Sequence, residues 1–94
     1  MLQLLPKSDV FTPNTTNPQE TVESISSYID KYHCETMCVD ISFMNVIDAC
    51  YVANACSTKH YMKYPSGNIQ WYVSSGLVKE FNKPLELGNA TYKF

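Results

Sequence analysis

The chain is short of charge. Of its 94 residues, 17% are Asp, Glu, Lys or Arg, while 45% are hydrophobic. Disorder needs the reverse balance, so the composition reads as a folded globule. A basic excess is also missing: seven Lys plus Arg against nine Asp plus Glu leave a net charge of −2. No global positive field draws the chain to nucleic acid or anionic lipid. No apolar run nears the roughly 20 residues that span a bilayer. The apolar start is broken by Pro6, Lys7 and Asp9, too early for a signal-peptide core. These absences place the chain, as an expectation, in the cytoplasm with no membrane partner. The N-x-Thr sequons at Asn14 and Asn89 carry no meaning there. Internal repeats, low-complexity tracts, C-x-x-C knuckles and any catalytic signature are absent as well. The length suits one domain over residues 1–94, of which 1–16 are weakly patterned. With so little charge, part of the surface must be apolar or aromatic, as an interface is.

What is present is an alternation of strand and helix signals. A first strand comes from Leu2, Leu4 and Leu5 or from Val10 and Phe11. Asn17-Pro18-Gln19-Glu20 opens a helix: Asn17 caps, Pro18 takes the first helical position, and Glu20 completes a capping box. Over 18–32 the spacing puts Val22, Ile25, Ile29 and Tyr32 on one face, with Tyr28 beside them. The most informative stretch is 37–62. It reads as a buried strand at 37–41, a polar turn at 42–45 (Ser42 to Asn45), and a helix from Val46. Asn45 caps that helix, with Asp48 in the box position and near the positive end of its dipole. Ala49, Val52, Ala53 and Cys56 make a stripe of small apolar residues that lets a helix sit close to a sheet. The helix is expected to end near Lys63, before Pro65 and the Ser66-Gly67 turn. A strand at 68–73 follows. Ser74 or Ser75 then caps a short helix over 77–82, and a last strand covers 90–94. The order βαβαβαβ predicts an α/β fold with a mostly parallel sheet and right-handed crossovers. Strands 37–41 and 69–73 should be parallel neighbours, because the helical crossover between them cannot form a tight hairpin. Polar residues collect after the strands, at 42–45 and at 74–76 (Ser74, Ser75, Gly76). That pole is the usual binding edge of an open α/β sheet.

The run Val39-Asp40-Ile41-Ser42, a short link, and Ile47-Asp48 opening a helix resembles the STAS domain of anti-sigma-factor antagonists. The later elements agree with that family in order and spacing, over about residues 17–94. The resemblance implies a non-catalytic regulatory module that binds a protein, such as a kinase-like partner. The family's phosphoacceptor serine corresponds here to Ala49, the next Ser/Thr to Cys50, and the small glycine to Tyr51. Ala49 has no hydroxyl to phosphorylate, so the resemblance is to a divergent, non-phosphorylatable branch. The partner is therefore not tied to an anti-sigma factor.

Several residue sets invite other chemistry. Asp40 and Asp48 could pair for acid–base work or Mg²⁺. No histidine, lysine or nucleophile accompanies them in the motif, so a strand end and a helix cap are the expected roles. His33, Cys34 and Cys38, with Cys56 and His60 on one helical face, raise a structural zinc site. Because Cys38 is expected to point into the core, reduced buried thiols are the preferred reading. Cys50 near a helix start raises a reactive thiol. Lys59, His60, Tyr61, Met62, Lys63 and Tyr64, with Trp71 and Tyr72, could stack on single-stranded nucleic acid, which the acidic balance disfavours. Ser74-Ser75-Gly76 could cradle a phosphate but lacks the glycines of a nucleotide loop. The reading is a protein–protein interaction module, not an enzyme, with neither cofactor nor metal. Its partner surface is Asn45, Asp48, Ala49, Cys50 and Tyr51 with Ser74 and Ser75. The alternatives are the nucleic-acid binder just described and a small enzyme or nucleotide binder at the polar pole.

Overall fold

A computed structural model describes residues 10–33, 35–85 and 87–94. They form β1 (Val10–Phe11), α1 (Pro18–Tyr32), β2 (Thr36–Asp40), α2 (Val46–Lys63), β3 (Asn68–Tyr72), α3 (Leu77–Asn82), a 3₁₀ turn (Lys83–Leu85) and β4 (Ala90–Lys93). The fold is α/β. Its four strands are all parallel, in the order β1-β2-β3-β4. Met37 pairs with Ile69 and Val39 with Trp71, so the strands around α2 are the parallel neighbours expected. The first strand is Val10 and Phe11; the alternative built on Leu2, Leu4 and Leu5 lies outside the described residues.

The helix starts follow from local chemistry. Asn17 Oδ1 accepts from the N–H of Glu20 at 2.9 Å, and Pro18 takes the first helical position. The Glu20 carboxylate does not return to Asn17; it accepts instead from Thr15 Oγ1 at 3.1 Å, which itself accepts from the Asn17 N–H. Asn45 Oδ1 caps α2 by accepting from the N–H of Asp48 at 2.9 Å. His33 closes α1 in the left-handed region, φ 52°, with its N–H on the carbonyl of Ile29.

The core lies between the helices and one face of the sheet. Ile25, Ile29, Met37, Val39, Ile41, Ala49, Val52, Ala53, Cys56, Ile69, Trp71 and Val78 are all buried there. The stripe on α2 is as the spacing predicts. Two side chains of α1 are not where the spacing put them. Tyr32 is 59% exposed, and Val22 is only half-buried, because the buried stripe of α1 runs through Thr21, Ile25 and Ile29. Thr21 can be buried since its hydroxyl donates to the carbonyl of Asn17 at 2.8 Å. Cys38 is half-buried rather than in the core. Strand side chains alternate, and Met37 and Val39 take the inner side.

Helix α2 packs between α1 and α3. Because α2 touches both α1 and α3, the three helices share one side of the sheet, giving two layers. Asp30 of α1 bridges Lys59 at 3.3 Å and Lys63 at 2.8 Å on α2. Under the sheet end, Trp71 Nε1 donates to Ser57 Oγ at 2.8 Å and Asn89 Nδ2 donates to the Ser57 carbonyl at 3.0 Å. One residue of α2 thus accepts from both a buried indole N–H and a buried amide N–H.

Candidate functional site

The two polar turns meet at the carboxyl end of the sheet. The Ser74 hydroxyl donates to the carbonyl of Met44 at 3.3 Å, joining the β2–α2 turn to the β3–α3 turn. Asp40 Oδ1 accepts from the N–H of Ser42 at 2.9 Å and from its hydroxyl at 2.7 Å. Asp48 Oδ2 accepts from Asn45 Nδ2 at 3.1 Å. Each carboxylate is thus engaged in its own turn or cap. Ser75 Oγ accepts from the Leu77 N–H at 3.1 Å, and the Glu80 N–H goes to the carbonyl of Gly76. These bonds take up donors at the start of α3 that a phosphate would need. A Cβ on Gly76 would meet the Phe94 ring at 3.0 Å, so the aromatic C-terminal side chain covers this turn.

The seven expected partner residues fall into three groups. Asn45, Tyr51 and Ser74 are exposed; Asp48 and Ser75 are half-buried. Ala49 is 0% exposed, sealed against the sheet as part of the small-residue stripe, so it cannot touch a partner. A phosphoacceptor at 49 would be unreachable. Cys50 faces α3 and is half-buried, its Sγ 4.0 Å from the carbonyl of Val78; burial pushes its thiol above the usual range. It is not an activated thiol.

What the sequence reading missed is the apolar company of Tyr51. Tyr51 is 48% exposed, and Ile47, one turn earlier on the same ridge, is 71% exposed. Phe43 lies in the turn before them, and Leu77 with Phe81 forms a matching i, i+4 ridge on α3. The two helices are held together by Asn82 Nδ2 on the Cys50 carbonyl at 3.2 Å and by the Cys50–Val78 contact. The signal was available: Ile47 and Tyr51 fall out of phase with the Ala49–Cys56 stripe. A concavity of about 380 Å³ lies beside β1, lined by Phe11, Ser24, Ser27, Tyr28, Lys31 and Tyr32. Phe11 and Tyr28 stack at 4.4 Å there.

The other candidates are dispersed. Trp71 is fully buried, as is His60, while Lys59 and Lys63 are committed to Asp30. Tyr72 lies on the sheet face away from α2. The basic and aromatic residues proposed to stack on single strands therefore do not share a surface. Of the zinc set, Cys34 lies outside the described residues, and His33 caps α1. Cys56 and His60 are inside the helical layer, Cys38 on the opposite sheet face. Among the described residues, no three of His, Cys, Asp or Glu are grouped to hold a metal ion. Burial pushes the Cys56 thiol up to about 12, which disfavours the thiolate a metal requires. No described helix is long and apolar enough to cross a membrane.

No family model matches this chain, and no curated protein or solved structure matches it.

Proposed function

We propose that the chain is a non-catalytic protein-interaction module. It engages its partner through the apolar ridge pair Ile47/Tyr51 and Leu77/Phe81, with Phe43, Asn45 and Ser74 at the margin. The observation that carries this reading is the exposure of five large apolar side chains at one end of the helical layer. Exposed apolar side chains grouped on neighbouring helices mark interaction sites. Aromatic residues such as Tyr51 are common anchors in such patches. Both nearby carboxylates are occupied by local hydrogen bonds, which supports binding over acid–base chemistry. The narrower form of the proposal is kinship with anti-sigma-factor antagonists. It rests on Val39-Asp40-Ile41-Ser42, Ile47-Asp48 and the element order from α1 to β4. The burial of Ala49 supports a mode of regulation other than phosphorylation there.

The test compares wild type with a Tyr51→Ala, Phe81→Ala double variant as bait in extract from the native host. The partner retained by wild type should be lost, with the circular dichroism spectrum unchanged. Equal retention by a folded variant would remove this surface.

A further inference from the structure

The sheet has a second face, and the described helices all lie on the other one. On this face, which no described helix covers, the register aligns Asp40, Tyr72 and Lys93 in one row across β2, β3 and β4, with Gln70 in the row before. None of these four is buried. All-parallel sheets occur almost only with both faces covered. The charges in the row say what fits. Asp40 stands on one side of Tyr72 and Lys93 on the other, about 10 Å apart at two strand spacings. Neither has an ion-pair partner among the described residues.

We propose that a second copy of this chain packs on this face, related by a two-fold axis running along β3. That rotation lays β2 over β4 of the other copy and β3 over β3. Asp40 of each copy then meets Lys93 of the other, and Tyr72 meets Tyr72. Sheets packed face to face stand about 10 Å apart, which a lysine and an aspartate span together. A two-fold axis across the strands would instead stack β2 on β2 and set Asp40 over Thr36, leaving both charges unmatched. The charge pattern therefore selects one symmetric arrangement, in which the same patch serves both copies. The patch spans about 19 by 16 Å, roughly 600 Å² over the two copies and well under the roughly 1,200 Å² at which standard specific interfaces begin, so the dimer is weak and concentration-dependent. It leaves the ridges of α2 and α3 free, so it stands or falls apart from the proposed partner surface.

The test is sedimentation equilibrium of the full chain from about 10 μM to about 1 mM at low salt, a range that brackets weak association. The mass should climb from one chain toward two. Lys93→Glu should weaken association at least ~10-fold, since each dimer loses two charge pairs and gains two repulsions. Adding Asp40→Lys to it should restore association. Asp40→Asn keeps the acceptor that Ser42 uses, so it should weaken the dimer without lowering the melting temperature. A chain that stays monomeric throughout would overturn the proposal. So would a dimer insensitive to both Lys93→Glu and Asp40→Asn, or a folded charge-swapped variant that fails to recover.

Discussion

The two faces of the sheet are made from the same strands and share almost nothing else. Toward the helices stand Met37, Val39, Ile69 and Trp71, all buried. One residue along in each case stand Cys38, Asp40, Gln70 and Tyr72, none of them buried. Period-two alternation sorts them, so a one-residue slip would exchange core for surface along a whole strand. The contrast shows that an apolar or aromatic residue in a strand does not reveal its environment by type. Trp71 and Tyr72 are adjacent aromatics, yet the first is 0% exposed with its indole N–H on Ser57, and the second faces outward.

The sharpest way to break this comparison is to truncate neighbours on opposite faces. Trp71→Ala should cost about 3–5 kcal/mol through cavity formation, while Gln70→Ala should change stability by less than ~0.5 kcal/mol. Urea unfolding of both variants checks it, and equal costs would mean the faces are not distinct. Next in size is Ser57→Ala. It removes the acceptor of the Trp71 N–H and should cost about 1–3 kcal/mol, because that buried donor is left unmet. A Ser57→Ala, Trp71→Phe double variant should lose less than the sum of the two single changes, a coupling that thermal melts can measure. Asn45→Ala should cost about 1 kcal/mol as a lost helix cap. By contrast Tyr51→Ala, six residues later and outward, should leave the melting temperature nearly unchanged.

The smallest expected effect lies at the seam of α1 and α2. Hydrogen bonds from Lys63 and then Lys59 hold the Asp30 carboxyl below its ordinary 3.8. A depressed carboxyl pKa in the fold means that its stabilisation is complete above the unfolded value. That stabilisation is lost as pH falls below 3.8 and through the lower folded value. Asp30→Asn should therefore flatten the stability profile on the acid side, and only at low salt, since the pair is exposed. Unchanged acid sensitivity in the variant would show that the bridge contributes nothing measurable.

Local chemistry made much of the architecture legible. Asn17 and Asn45 cap their helices through their own side chains, so the caps need no distant partner. The small stripe Ala49-Val52-Ala53-Cys56 spelled out the inner side of α2 by spacing alone. The candidate surface was half legible. Tyr51 of the expected set is exposed, but Ala49 in the same set is core, because motif adjacency ignores the roughly 100° turn per residue.

What the sequence determined by itself was the order of elements, their starts and the parallel character of the sheet. These follow from caps, breakers and crossover lengths, which act over a few residues. Tertiary structure alone decided which side each strand turned inward, that Thr21 rather than Tyr32 closed the α1 face, and that Ile47, Tyr51, Leu77 and Phe81 stayed exposed on two packed helices. Those outcomes depend on how far one element rotates against another. That rotation is set by packing between residues distant in the chain, where no local signal reaches.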